Sequence, residues 1–241
     1  MSQKAAIQKQ ISIKSIPAIK PFFIRKMPFW KRTLDIMGAI IGLILFFPLM
    51  LFISLLIKII SPGPVFFKQQ RVGFGGELFE FLKFRTMKVD TDTTKHRKYL
   101  EHLINGGSGI DKSEMIMTKL DDSNPDIIPF GRILRTTYLD ELPQLINVLR
   151  GDMSLVGPRP PIPYEVEEYS RWHNGRFDSV PGMTGLWQVS GKNRLTFSQM
   201  VRLDVRYSML LSFWLDIKIL LMTPFAIISH IKDGLLKKGE D

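Results

Sequence analysis

The segment RTTYLDELPQLINVLRGDMSLVGPRPP, residues 135–161, decides the fold of this chain. It places two adjacent carboxylates, Asp140 and Glu141, at a predicted helix start. Asp140 can serve as the N-cap, because its carboxylate can accept hydrogen bonds from the free N–H groups of the first turn. Pro143 suits that first turn, and Gly151 is a typical stop. Apolar residues at i, i+3, i+4 and i+7 predict one buried face, formed by Leu142, Leu145, Ile146 and Leu149.

The same segment is compatible with phosphate binding. A helix start favours phosphate, because free N–H groups and the positive end of the helix dipole point toward it. A carboxylate and a phosphate repel each other, so a cation such as Mg²⁺ is expected between them, with Asp140 as a ligand. The alternative is purely structural: Asp140 caps the helix and Glu141 complements its dipole. The segment alone leaves both interpretations open.

Composition limits the possible partners. The chain has 241 residues, room for one sizeable domain plus membrane or tail segments. Its formal net charge of +10 predicts an anionic partner: nucleic acid, anionic lipid or a phosphorylated substrate. The absence of cysteine excludes disulfide and thiol chemistry. The four histidines have no metal-ligand spacing, so a histidine-based metal centre is not expected.

Residues 36–57, IMGAIIGLILFFPLMLFISLLI, form an apolar run without a charge. As a straight helix it would be roughly 33 Å long, enough to cross the hydrocarbon core. Pro48 removes a backbone bond near its middle, which fits either a kinked spanning helix or a re-entrant hairpin. Lys and Arg flank the run on both sides, and the positive-inside rule therefore favours the re-entrant form. We also expect Asp35 to form an ion pair with Lys31 or Arg32 at headgroup depth.

The remaining segments are predicted more coarsely. Residues 65–68 and 78–85 are predicted strands of a hairpin around the loop at 73–76. Residues 86–126 are predicted as a polar loop with helical pieces. Residues 209–236 predict an amphipathic helix at the membrane interface rather than a second span, because Asp216 and Lys218 interrupt the apolar pattern. A plain core helix is the alternative.

Several motifs occur in a recognisable order along the chain. They are Lys31-Arg32 with Asp35, the proline-broken helix, PGPVFFKQQRVG at 62–73, FLKFRTM at 81–87, the segment at 135–160, PGMTGLWQVSGKNR at 181–194 and LDVRY at 203–207. In this order they resemble the motifs of the monotopic phosphoglycosyltransferases, and the resemblance covers nearly all of residues 30–230. One departure is Phe47 before Pro48, where many members have serine. The resemblance implies an α-rich α+β fold with a short β-hairpin, a re-entrant N-terminal membrane helix and interfacial amphipathic helices.

The resemblance also implies an activity. The family transfers a sugar 1-phosphate from a UDP-sugar to polyprenyl (undecaprenyl) phosphate at the cytoplasmic face of the bacterial inner membrane, and UMP is released. This is the first membrane step of exopolysaccharide, capsule, O-antigen or glycoprotein glycan assembly. Asp140 matches the family's covalent nucleophile and Glu141 its dyad partner, with Mg²⁺ as cofactor. The implied phosphate and substrate contacts are Arg135, Arg159, Pro160, Lys83, Arg194 and Asp204. The implied membrane determinants are Lys31, Arg32, Asp35 and Pro48.

The predicted organisation has four parts. Residues 1–30 form a basic tail, 31–60 the re-entrant helix, 61–208 the cytoplasmic catalytic domain and 209–241 the interfacial C-terminal helices. Residues 181–185 are expected to form a tight turn beside the nucleotide. The expected partners are a UDP-sugar, a polyprenyl phosphate and membrane lipids. Two rivals, a membrane-tethered nucleic-acid binder and a non-catalytic scaffold, are disfavoured, because the chain has no nucleic-acid-binding motif and a scaffold leaves the ordered polar blocks without purpose.

Overall fold

A long apolar helix, α1 (Phe29–Ile60), is the first helix among the described residues. The computed structural model describes residues 22, 27–89, 104, 126–191 and 195–236, with side chains up to residue 232. The predicted tail at 1–30 and loop at 86–126 therefore lie largely outside the described residues. Helix α1 continues through Pro48. If straight, its 32 residues would extend about 48 Å.

Both ends of α1 pack against the rest of the protein. Near its start, Ala39 and Leu43 contact a cluster that includes Leu145 and Val148. Near its end, Ile53 and Ile57 belong to a second cluster with Phe84, Ile128 and Leu134. Between these two contacts Ile44, Leu45 and Phe47 are exposed, whereas Leu49 and Met50 are half-buried against the second cluster. The helix therefore holds the domain at two places and leaves its apolar middle outside, while its re-entrant path stays a prediction.

A β-hairpin follows α1, as predicted. Strand β1 (Phe66–Val72) pairs antiparallel with β2 (Leu78–Phe84), with Phe66 opposite Phe84 and Val72 opposite Leu78. A 3₁₀ turn at Phe74–Gly76 connects the strands, and Gly75 has a φ of 64° there. The predicted first strand ended too early at Lys68. The polar residues that follow, Gln69 to Arg71, continue the strand without the apolar–polar alternation by which a strand is recognised.

The segment around Asp140 and Glu141 folds differently from its prediction. Helix α2 (Gly131–Thr137) precedes a 3₁₀ turn at Leu139–Glu141, and α3 (Gln144–Arg150) follows. The prediction that Asp140 is an N-cap is wrong, because α3 begins after Pro143 and has no side-chain cap. The predicted stop at Gly151 is confirmed, with a φ of 95°.

The buried face of α3 is also shifted from the prediction. Leu145 is buried as expected, but the other fully enclosed positions are Gln144, Asn147 and Val148. Asn147 is buried because its side chain bonds strand β2. Its Nδ2 donates to the Glu80 carbonyl at 2.7 Å, and its Oδ1 accepts from the Leu82 N–H at 3.1 Å. Apolar periodicity cannot find a buried amide of this kind.

A short parallel pair of strands follows α3 in the sequence. Strand β3 (Ser154–Val156) pairs with β4 (Gly182–Thr184). The predicted tight turn at 181–185 is therefore wrong. Its glycines serve close packing of two backbones instead, as described for the site below.

The remaining helices complete the fold. They are α4 (Pro163–Val166), a 3₁₀ helix at Arg171–Asp178, α5 (Leu186–Val189), α6 (Phe197–Leu210) and α7 (Phe213–Leu236). Helix α7 continues through Pro224, and the predicted boundary at residue 209 falls inside α6. Among the described residues, α1 and Phe213–Lys232 are long and apolar enough to cross a membrane by length and composition. The helix-rich fold with a short hairpin is confirmed, and the interfacial position of α7 stays a prediction.

Candidate active site

Asp140 and Glu141 lie side by side in the 3₁₀ turn between α2 and α3. Asp140 is 5% exposed, whereas Glu141 is partly open to solvent. Strand β2 brings Lys83 to both carboxylates. The Lys83 Nζ atom is 2.8 Å from Glu141 Oε1 and 3.7 Å from Asp140 Oδ2. The predicted carboxylate pair and the separately predicted Lys83 thus form one group, in which the ammonium is closer to Glu141 than to Asp140.

The environment of Asp140 raises its pKa to about 6. Burial is the largest cause, and the adjacent Glu141 charge acts in the same direction. Lys83 and Arg135 oppose them, because their positive charges favour the ionised form. A poorly hydrated carboxylate next to cations is suited to act as a nucleophile toward an electrophile that enters the site.

Tyr138 forces the chain to change direction just before the carboxylates. It has a φ of 59°, in the left-handed region that non-glycine residues seldom adopt. Such strain persists where the surrounding structure imposes it, and it is common at functional sites. Here the Tyr138 ring contacts the ring of His230 in α7, with 5.4 Å between the centroids. The α2-to-3₁₀ junction that directs Asp140 is therefore also in contact with the C-terminal helix.

The turn that carries Arg159 rests on a backbone-to-backbone contact. The Gly157 N–H donates to the Thr184 carbonyl at 2.9 Å, and the Gly182 N–H donates to the Pro158 carbonyl at 2.8 Å. A Cβ atom on Gly157 or on Gly182 would overlap backbone atoms of the facing segment. Both positions therefore require glycine. Close contact between the two backbones explains Gly157 and Gly182 without the predicted tight turn.

Arg71 is a site residue that sequence reasoning missed. It is buried at the end of β1, and its Nη1 donates to the Pro160 carbonyl at 3.0 Å. Burial, together with the charge of Arg159, lowers the pKa of Arg71 to about 10. Arg71 is thus close to the Arg159 turn, and the Glu141 charge also acts on it. Its membership in the same predicted hairpin as Lys83 was the available sequence signal.

Asp204 occupies a fully buried position on α6. Its Oδ2 is 2.8 Å from Nη2 of Arg176. Burial raises the pKa of Asp204 to about 6, although Arg176 and Arg159 favour its ionised form. A side chain enclosed in this way is placed to support the Arg159 turn from behind.

The other predicted phosphate and substrate contacts lie in different environments. Arg135 is partly buried in the last turn of α2 and is close enough to affect the pKa of Asp140. Pro160 is buried and offers its carbonyl to Arg71. Arg194 lies outside the described residues.

Three of the four predicted membrane determinants of α1 bond to the protein, whereas Pro48 is exposed. Lys31 and Asp35 form the expected ion pair, at 3.5 Å, and both side chains are buried. The shorter ion pair of Lys31 is with Asp216 of α7, at 2.6 Å. Arg32 donates to the Val148 and Leu149 carbonyls at 2.6 and 2.7 Å, so it satisfies the free carbonyls at the end of α3. Headgroup depth stays a prediction. The ion pair with Asp216 was not predicted, because the prediction considered only neighbours along the same helix.

The donor chemistry of the site is compatible with Mg²⁺. The described residues contain no group of three or more histidine, cysteine, aspartate or glutamate side chains that could hold a metal. Mg²⁺ needs no such cage, because it commonly binds one or two carboxylates together with substrate phosphates and water. Asp140 and Glu141 offer oxygen donors of that type, so these two residues fit the expected ion.

Comparison with known proteins identifies the family of this chain. The family model described as "Bacterial sugar transferase" matches residues 26–230. The chain belongs to the bacterial sugar transferase family. Within this family it is 45% identical to the galactosyl transferase CpsE of Streptococcus agalactiae over 194 residues, which are 80% of this chain and 41% of that protein. It is 38% identical to the exopolysaccharide production protein ExoY of Rhizobium meliloti, over 82% of this chain and 84% of that protein.

A third relative carries a more specific name. The UDP-glucose:undecaprenyl-phosphate glucose-1-phosphate transferase of Caulobacter vibrioides is 40% identical over 207 residues, 83% of this chain and 70% of that protein. This chain thus spans about two fifths of CpsE but most of ExoY. The matches confirm the family inferred from the sequence and, with it, the transferase class.

Proposed function

We propose that this chain transfers a sugar 1-phosphate from a UDP-sugar to a polyprenyl phosphate at the cytoplasmic face of the bacterial inner membrane and releases UMP. The observation that carries the proposal is the buried Asp140, whose Oδ2 is 3.7 Å from Lys83 Nζ and whose pKa is also affected by the charge of Arg135. The names of relatives support the substrate classes, since one specifies UDP-glucose and undecaprenyl phosphate. The nucleic-acid-binding and scaffold rivals have no counterpart among these names.

The first step is attack by the Asp140 carboxylate on the phosphorus atom that bears the sugar. A new Asp140 oxygen–phosphorus bond forms as the bond between that phosphorus and the bridging oxygen breaks, and the electron pair leaves with UMP. The product is an aspartyl-phosphosugar intermediate. In the second step a phosphate oxygen of the polyprenyl phosphate attacks the same phosphorus and displaces the carboxylate, which regenerates Asp140. Asp140 is thus the nucleophile of the first displacement and the leaving group of the second.

The surrounding side chains lower the charge barrier to these steps. Lys83 balances the carboxylates before the donor arrives, and its Nζ is close enough to contact an entering phosphate oxygen. Arg159 presents a planar guanidinium, which suits bidentate binding of a phosphate. When bound at Asp140 and Glu141, Mg²⁺ would supply further neutralisation of the diphosphate charge. Glu141 holds Lys83 at 2.8 Å and thereby keeps the ammonium beside the nucleophile.

Membrane attachment would bring the lipid phosphate to Asp140. The exposed apolar middle of α1 and the exposed apolar side chains of α7, such as Trp214, Leu221 and Phe225, offer surfaces for lipid. The folded domain contacts α1 on both sides of that apolar middle. This arrangement supports a monotopic protein whose catalytic domain stays on the cytoplasmic side, in contact with both a soluble and a lipid-bound substrate.

Turnover with purified components tests the proposal. The protein in detergent is mixed with Mg²⁺, undecaprenyl phosphate and a panel of nucleotide sugars, beginning with UDP-glucose and UDP-galactose, and UMP release is measured. We expect release with at least one UDP-sugar, its loss in EDTA, and its loss in Asp140→Asn at an unchanged melting temperature. The exposed Lys68→Gln serves as the control that should keep full activity. Full activity in EDTA, or an Asp140→Asn variant as active as the parent, would contradict the proposal.

A further inference from the structure

A buried polar cluster lies directly behind the Arg159 turn, and the mechanism above does not use it. Its centre is Arg176, whose guanidinium is enclosed by side chains from α4, α6 and the 3₁₀ helix. The Arg176 Nη2 atom is 2.8 Å from Asp204 Oδ2, and Nη1 is 3.6 Å from Glu165 Oε1. Tyr169 accepts a hydrogen bond from Arg176 Nη1 and donates one to Glu165 Oε1 at 2.6 Å.

The same guanidinium bonds the Arg159 peptide. Arg176 Nη2 donates to the Arg159 carbonyl at 3.2 Å. The next carbonyl along the chain, that of Pro160, accepts from Arg71 Nη1 at 3.0 Å. Two consecutive carbonyls thus accept hydrogen bonds from two different buried guanidiniums. The peptides of Arg159 and Pro160 are thereby held in a single orientation.

We propose that Arg176, oriented by the Tyr169 hydroxyl, is a positioning residue that fixes the backbone from which Arg159 reaches the donor diphosphate. This inference rests on the proposed function, since it takes a diphosphate as the group that Arg159 binds. A side chain that binds phosphate loses less conformational entropy on binding if supporting contacts already hold it in place. Arg176 therefore acts on the substrate through Arg159.

The charges of the cluster support this role better than a role in stability alone. Burying two carboxylates and a guanidinium is costly, and apolar residues of similar volume often give equal or greater stability. The cluster also acts on the Arg159 side chain itself. Burial by itself raises the pKa of Glu165, but the charges of Arg159 and Arg176 together lower it below its usual value. Glu165 is thus an ionised partner for both arginines.

A double-mutant cycle on pyrophosphate binding tests the proposal without requiring turnover. Pyrophosphate affinity is measured by calorimetry for the parent, Tyr169→Phe, Arg159→Ala and the double variant. Arg159→Ala should weaken binding roughly 10-fold or more, as expected for loss of a charged hydrogen-bond donor. Tyr169→Phe should weaken it about 3- to 10-fold, because Arg176 loses a hydrogen bond that orients it. The double variant should bind no more weakly than Arg159→Ala, because Tyr169 acts through Arg159.

Two further variants separate positioning from general damage. Arg176→Lys keeps the charge but removes the forked donor geometry, and it should reproduce the Tyr169→Phe effect with the same coupling to Arg159. Arg202→Lys, an exposed arginine of α6 that stacks on Trp172, should leave affinity unchanged. Additive effects in the cycle, or a lower melting temperature in Tyr169→Phe without weaker binding, would overturn the positioning role. A parent that does not bind pyrophosphate would overturn it as well, by removing Arg159 as a phosphate ligand. A coupled cycle without turnover of any UDP-sugar would sink the proposed function alone.

Discussion

The buried ammonium of Lys31 provides a sharp test of how α1 is attached to the domain. Lys31→Met removes a group that lies 2.6 Å from Asp216 Oδ2, 3.5 Å from Asp35 Oδ1 and 2.9 Å from the Val156 carbonyl. Both carboxylates are fully buried, so neither can recover its loss by hydration. We expect the variant to keep the fold but to lose a large part of its stability.

The magnitude follows from the contacts that remain. Removal of one partner from a buried ion pair costs about 3–5 kcal/mol. Here Tyr207 still donates to Asp216 at 2.7 Å, and Ser154 Oγ still donates to Asp35 at 2.9 Å. These bonds limit the loss, so we expect about 3 kcal/mol. In a domain of this size, that corresponds to a melting temperature about 6–12 °C lower.

Thermal unfolding in detergent measures this effect. The double variant Lys31→Met with Asp216→Asn should be more stable than Lys31→Met alone, because it no longer buries two uncompensated carboxylates. Lys58→Met, an exposed lysine near the other end of α1, is the control and should change stability by less than about 0.5 kcal/mol. A Lys31→Met variant as stable as the parent, or a double variant that shows strictly additive losses, would refute the reasoning.

Three other perturbations test different parts of the structure. Gly182→Ala should cost about 3 kcal/mol in unfolding free energy, because its Cβ would overlap the facing backbone. Gly75→Ala is the control: Gly75 has a φ of 64° but open space around it, so the loss should be about 1 kcal/mol. Equal losses in thermal melts would count against the close packing. Asn147→Leu should cost about 3 kcal/mol, since it leaves a buried N–H and a buried carbonyl of β2 without their partner, and urea unfolding will show whether it does. Burial, aided by the charge of Arg176, lowers the pKa of His173 from its ordinary 6.5 to about 4, so the unfolded chain takes up a proton first as the pH falls through this window. The free energy of unfolding of the parent should therefore fall by roughly 1–2 kcal/mol between pH 6.5 and pH 5, and that of His173→Gln should fall by less. The measurement is the difference between their stability–pH profiles. Parallel profiles would contradict the lowered pKa of His173.

The parts of the fold that local pattern encodes were predictable. The apolar run gave α1, the turn residues gave the hairpin, and Gly151 gave the end of α3. In each case the signal lies within about ten residues of the feature. The same holds for the strand of Lys83, which local pattern predicts, although its contact with the carboxylates depends on a distant segment.

The contacts between distant segments were not predictable in this way. Lys31 and the Val156 carbonyl are 125 residues apart, and nothing in local periodicity links them. Asp140 was assigned a cap because the left-handed Tyr138, which separates α2 from the 3₁₀ turn, has no sequence signature of its own. The buried Asn147 was missed for a related reason, since its partners belong to another element.

The proposed mechanism requires a covalent bond between Asp140 and the phosphorus of the transferred sugar phosphate. Its most direct measurement is intact-mass spectrometry of the protein after it is mixed with UDP-sugar in the absence of polyprenyl phosphate, followed by peptide mapping. We expect an added mass equal to one sugar phosphate on the peptide that contains Asp140, loss of that mass when polyprenyl phosphate is added, and no adduct in Asp140→Asn. An unmodified protein that nevertheless turns over, or an adduct on another residue, would contradict the account.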